Sequence, residues 1–179
     1  MKKIFLAFFV CIGLPIMLLA QTDKVFLHNG NTMEVSVKSI SSGLITYSYP
    51  NEVMTQEISA QQVEKIVFSS GRTQQISEKI IINGKDDWEK VIITTSEADI
   101  IGLVRKGDVK GTWTGSSLSG TAKVQEKAER EAKQNAAKLG AHVIFVQTYD
   151  TRQAGGMDAV TGFGQNAKAA VRGVAYGYE

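Results

Sequence analysis

The chain has 179 residues, 20 Lys and Arg against 18 Asp and Glu for a formal charge of +2, a hydrophobic fraction of 43% and one cysteine. These figures exclude a multi-span membrane protein, a disulfide scaffold and a disordered chain. Two of the basic residues, Lys2 and Lys3, stand at the extreme N-terminus, so residues 21–179 carry 18 bases and 18 acids and have no overall attraction for nucleic acid or an anionic membrane.

Lys2 and Lys3 precede a nearly uninterrupted apolar run from Ile4 to Leu19, and Ala20 is followed by polar Gln21-Thr22-Asp23-Lys24. This is the order of a secretory signal, with cleavage expected after Ala20 and residence in the periplasm or cell envelope. The run is short of the roughly 20 residues that span a bilayer, and Pro15 breaks it. Leu18, bulky for the third position before a cut, keeps an uncleaved anchor as the alternative. Cys11 lies inside the apolar run without the small neighbours of a lipid-attachment cysteine, so the exported part has no thiol for catalysis, metal binding or redox chemistry.

From Lys24 to Ile76 short β-rich runs alternate with turns: Lys24-His28, Thr32-Ile40, Leu44-Tyr49, Val53-Ile58, Lys65-Ser69 and Thr73-Ile76. Asn29-Gly30 suits a tight hairpin, and Pro50 removes a ladder donor where a strand should stop. Met33, Val35 and Val37 alternate with Glu34, Ser36 and Lys38, the period of a sheet with one wet face. Strands this short are too small for a sandwich and predict a bent SH3/Sm-like β-barrel over residues 21–76. Residues 77–87, with the Ile80-Ile81-Ile82 run and Asn83-Gly84, form the predicted joint.

The third segment, residues 88–179, predicts strands at Glu89-Thr95 and Ile100-Arg105, the latter resuming through Trp113. A helix follows from about Ala122 to Leu139, with Thr121 as N-cap and Gly140 past the C-cap. Val124, Ala128, Ala132, Ala136 and Leu139 make a narrow stripe that lets the helix lie close on a sheet. Glu126 with Arg130 and Glu129 with Lys133 have the spacing of favourable pairs on a solvated face. Strands His142-Tyr149 and Ala169-Tyr178 complete a β-β-α-β-β order, so the fold class is α+β. One helix covers one face of the sheet; the other must meet the first unit, a second copy of the chain, or water.

The run Ala136-Ala137-Lys138-Leu139-Gly140-Ala141-His142-Val143-Ile144 resembles the helix-strand corner of the YbjQ-like family, and is similar to that of the RcsF-like stress-sensor lipoproteins. Gly173-Val174-Ala175-Tyr176 resembles the last strand of YbjQ-like domains, and the likeness spans Val91 to Tyr178. The upstream stretch Asp86-Asp87-Trp88-Glu89-Lys90-Val91 resembles exported two-domain proteins of Bacteroidetes-type bacteria. The resemblance implies an α+β domain prone to dimeric or ring-like association and no catalytic residues. Its heavy-metal label and its sensor role both lean on features missing here, since residues 21–179 have no cysteine for soft metals or disulfides.

No convergent catalytic set is legible. His28 and His142 fall in different predicted units, and a zinc site recruits three or four ligands. Asp86, Asp87 and Glu89 lack the glycine and spacing of a calcium loop. Ser116, Ser117 and Ser119 lie in no G-x-S-x-G elbow. Gly162-Phe163-Gly164-Gln165-Asn166-Ala167 matches a dinucleotide fingerprint by letter, but it precedes a strand rather than a helix. Trp113 and Met157, flanked by glycines, are candidate contact residues, and Trp88 is a candidate cement for the joint. Two functions are therefore carried forward. The first is a non-enzymatic envelope interaction or assembly module without a cofactor, self-associating or binding an envelope protein or glycan. The second is a metal- or small-ligand-binding protein using His142 and Asp150.

Overall fold

The computed structural model describes residues 22–41, 43–116, 120–154 and 166–179. The expected leader, Ser117, Ser119, Met157 and most of the glycine fingerprint lie outside those residues.

Strands β1 (Asp23–Leu27), β2 (Thr32–Ser41), β3 (Leu44–Ser48), β4 (Gln56–Ser59), β5 (Val63–Val67) and β6 (Thr73–Gln75) form one sheet in the order β4-β3-β2-β1-β5-β6. Every pairing in it is antiparallel. The β1–β2 hairpin closes where the amide of Leu27 donates to the Asn31 carbonyl, with Gly30 at a φ of 91° that a side chain rarely adopts. The first half of β2 pairs with β1 and the second half with β3, with a register shift between Val37 and Ser39. One long strand thus bends across two ladders, and Val25, Val35, Ile45, Val63 and Ile66 fill the concave side, all fully buried. Asp23 holds the bend: its carboxylate accepts from the amides of Val37 at 2.9 Å and Ser69 at 2.8 Å.

The sheet is open at β4 and β6, where the sequence led us to expect a small barrel. The reason lies at the β4 edge, where the amide of Ser59 donates to the carbonyl of Ile101 at 3.0 Å, so the second unit takes a bond that a closing strand would need. The strand expected from Val53 begins only at Gln56, and Val53 is fully exposed.

The second sheet contains β7 (Ile92–Thr94), β8 (Val104–Thr114), β9 (Val143–Arg152) and β10 (Lys168–Gly177), in the order β7-β9-β10-β8. Strand β7 runs parallel to β9 and the other pairs are antiparallel. The strand expected at Glu89-Thr95 is shortened because Lys85–Lys90 form a 3₁₀ turn, in which Asp87 accepts from the amide of Asn83 and pairs with Lys90 at 2.7 Å. A second 3₁₀ turn, Glu97–Ile100, occupies part of the strand expected at Ile100-Arg105.

Helix α1 (Thr121–Lys138) starts with Gly120 rather than Thr121 as its cap, and Gly140 leaves its end at a φ of 69°. Val124, Ala128, Ala132, Ala136 and Ala137 are buried against Val109, Ile144, Val146, Ala169, Val171 and Ala175. Leu139, expected in that stripe, is exposed. Small side chains bring the layers close: a Cβ on Gly111 of β8 would overlap the Ala128 carbonyl oxygen of the helix. The expected ion pairs of α1 do not form among the described residues. Arg130 instead lies over Trp88 and Glu129 accepts from Gln125.

The sheet face away from α1 is divided. At one end Val143 and Phe145 pair in register with Tyr176 and Val174, and Val143 and Val174 are buried. The turn Glu97–Ile100 touches both β9 and β4 there, and Gly102, at a φ of 83°, packs so tightly on the Gln62 side chain that a Cβ would overlap it. The other end faces outward.

Candidate anion-binding face

Two places gather chemically capable side chains. The first is the seam between the sheets. His142, 1% exposed, stacks on Tyr178 with ring centroids 3.9 Å apart, and His28 of the first sheet tilts against the same ring at 5.1 Å. The two histidines that the sequence separates into different units therefore meet around one tyrosine, whose hydroxyl accepts from the amide of Ile80. Burial is the main cause that pushes the His142 pKa down to about 4, and the nearby His28 and Lys106 add to it. Burial also lowers His28, against an opposing pull from Glu64, and raises Tyr178. Both imidazoles are thus neutral near pH 7, and Nε2 of His142 is buried without a hydrogen-bond partner.

His28 Nε2 and Ser77 Oγ are 2.8 Å apart, a distance at which a histidine could activate a serine. The Ser77 hydroxyl, however, donates to the Val63 carbonyl at 2.8 Å, so its oxygen accepts from His28 and the imidazole proton sits on Nε2. That arrangement leaves neither a lone pair on Nε2 to take a proton nor a free hydroxyl proton to give. The pair ties the segment after β6 to β1 and β5.

The second place is the outward half of the second sheet. Alternation along β8, β9 and β10 brings Lys110, Thr112, Asp150, Arg152, Lys168 and Ala170, with Arg172, around an open trough of about 420 Å³. Register orders them. Arg152 stands opposite Lys168, Asp150 opposite Ala170 and Ala170 opposite Thr112, and Arg172 opposite Lys110. Two like-charged pairs thus face each other across strands, an arrangement that destabilises a sheet when nothing neutralises it. None of these four cations joins an ion pair among the described residues. Asp108, next along β8, is paired instead with Arg105 at 2.6 Å.

The free edge of β8 beside the trough is covered. The amide of Thr112 donates to the Glu131 carboxylate at 2.7 Å and Asn135 donates to the Lys110 carbonyl at 2.9 Å, both partners coming from α1. Bonds of this kind block the addition of another strand.

Of the residues expected from sequence, His142 lies in the seam and Asp150 in the trough. Eight residues of extended chain, about 26 Å, separate them, so the structure does not bring them together as ligands. No group of three or more His, Cys, Asp or Glu that could hold a metal gathers among the described residues. Trp113 is exposed, with the Lys127 ammonium over its ring at 4.5 Å, and lines an open groove with Arg130, Glu131 and Gln134 of α1. Trp88, the candidate cement, packs against the core beneath α1 with Arg130 over its ring at 4.7 Å.

Sequence reasoning missed Lys110, Arg152, Lys168 and Arg172. The spacing of Lys168 and Arg172, four apart on a strand, put both on one face. The opposing strand's register, which doubles the charge, is not visible in one sequence. It also missed Tyr178 as the bridge between the histidines.

Comparisons with family models, curated proteins and solved structures return no match for this chain. No helix among the described residues is long and apolar enough to cross a membrane.

Proposed function

We propose that the chain is a non-enzymatic interaction module of the cell envelope, exported by the leader at residues 1–20, and that its partner is an anionic molecule docking on the outward half of the second sheet. One observation carries the reading: the trough sets the pairs Arg152–Lys168 and Arg172–Lys110 around the carboxylate of Asp150, in a chain whose residues 21–179 are balanced in charge as a whole. An anion bound there would turn two repulsive cross-strand pairs into a cation cradle.

The seam supports the non-enzymatic part, because its one serine-histidine pair is committed to holding backbone in place. The expected homo-oligomer, built by facing this surface with a second copy, would set cations against cations. An anionic partner removes that conflict. The YbjQ-like and RcsF-like resemblance of the corner Leu139-Gly140-Ala141-His142-Val143 and the SH3-like character of the first sheet remain part of this proposal. So does residence in the periplasm. The metal-site alternative has less to stand on, given the separation of His142 from Asp150.

The test is equilibrium binding of the purified protein to three polyanions, inorganic polyphosphate, poly-glutamate and hyaluronan fragments, at low and moderate salt. At least one should bind, with affinity falling at least about tenfold between 50 and 200 mM salt. The double reversal Lys168→Glu, Arg172→Glu should abolish that binding. If no polyanion binds at 50 mM salt, or the reversal leaves binding intact, the reading is wrong.

A further inference from the structure

We infer that the ligand of the trough is an acidic polysaccharide in which charged and neutral sugars alternate. This rests on the reading that the partner is anionic, and it names the partner's class.

The argument comes from the order of side chains along the trough. One cation pair, Arg152 with Lys168, stands at one end of this row, and the other, Arg172 with Lys110, lies four strand residues further on, about 13 Å away. The row between them is Asp150, Ala170 and Thr112. A ligand charged at every unit would press an anion against the Asp150 carboxylate. A ligand with the order anion, hydroxyl, anion meets a hydroxyl acceptor in Asp150 and a hydroxyl partner in Thr112. Ala170 offers only a methyl group as floor, which leaves depth for a ring, and the spacing of the two pairs is about the reach of a disaccharide.

The same lining disfavours other polyanions. Among the described residues it contains no aromatic side chain on which a nucleobase could stack. Ala170 is its one apolar member among the described residues, which offer neither an acyl chain nor the greasy side chains of a peptide a seat. A peptide adding as a strand needs a free edge, and Glu131 and Asn135 occupy that of β8.

The test is titration calorimetry of the purified protein with a hyaluronan octasaccharide, which alternates acidic and neutral sugars. An oligogalacturonate of equal length, charged on every sugar, inorganic polyphosphate and single-stranded DNA are the comparators. Hyaluronan should bind about tenfold tighter than each of them. Asp150→Ala should weaken hyaluronan about tenfold, by loss of a charge-assisted hydrogen bond, while strengthening polyphosphate, by removal of a repelling charge. Thr112→Val should weaken hyaluronan alone. If a comparator binds as tightly as hyaluronan, or if Asp150→Ala strengthens every ligand, the saccharide assignment falls and the anionic partner stands. If Lys168→Glu, Arg172→Glu leaves hyaluronan binding unchanged, both fall together. Circular dichroism of each variant confirms that these surface changes leave the fold in place.

Discussion

The seam makes the stability of this protein depend on pH through His142. Its imidazole titrates near 4 when folded, against 6.5 for the ordinary side chain. At pH 5 the unfolded chain therefore binds nearly one proton more at this position than the folded chain. A depressed histidine pKa contributes stability that is whole above the unfolded value and is lost as pH falls from 6.5 towards 4. Between pH 7.5 and 5 the loss from this one group is about 2 kcal/mol. His28, also lowered, adds to the loss with the same sign. His142→Phe keeps a ring against Tyr178, has nothing to protonate and removes the unpartnered Nε2. The assay is urea unfolding of both proteins at pH 7.5 and 5, read as the difference of differences. The substitution should abolish about 2 kcal/mol of the acid-induced loss and leave the protein at least as stable at pH 7.5. Equal acid-induced losses in the two proteins would refute the account of His142 as a buried neutral group.

Other consequences follow from the packing. Gly111→Ala drives a methyl group into the Ala128 carbonyl and towards the Ala132 amide, backbone atoms that cannot rotate away. It should cost about 3 kcal/mol, at the upper end of overpacking, and lower the melting temperature by roughly 10 °C; a change within 2 °C would mean the helix does not lie that close. Ser77→Ala leaves His28 Nε2 and the Val63 carbonyl without their shared hydroxyl. A loss of about 2 kcal/mol in chemical unfolding is expected, with polyanion binding unchanged; altered binding would move the functional site to the seam. Asp23→Ala removes the carboxylate that accepts from Val37 and Ser69, and amide exchange should accelerate at those two positions before the rest of the sheet.

The candidate site shows where reading a sequence stops. Asp150 is the carboxylate that the sequence offers near His142, yet extended chain carries the two about 26 Å apart. His28 and His142 fall in different predicted units, yet both lie against Tyr178. The four cations of the trough carry no mark in the sequence, since a lysine or arginine on an outward strand position is an ordinary solvated residue. Only the cross-strand register shows them doubled, and among the described residues none of them joins an ion pair.

The local features were legible. Alternation placed the strands of the first unit within a few residues, and turn chemistry at Gly30 and Gly140 marked where chain direction changes. The alanine stripe found the helix and the face it buries. These follow from periodicity and dihedral preference, which act over a few residues and are written in the chain itself. Whether the first sheet closed, which half of the second sheet stayed open, and which charges met across strands depended on contacts between segments distant in sequence. The Ser59–Ile101 bond and the Arg172–Lys110 register are of that kind. Such contacts are chosen by the packing of whole layers, so the location of the proposed binding face was decided only once both sheets had been assembled.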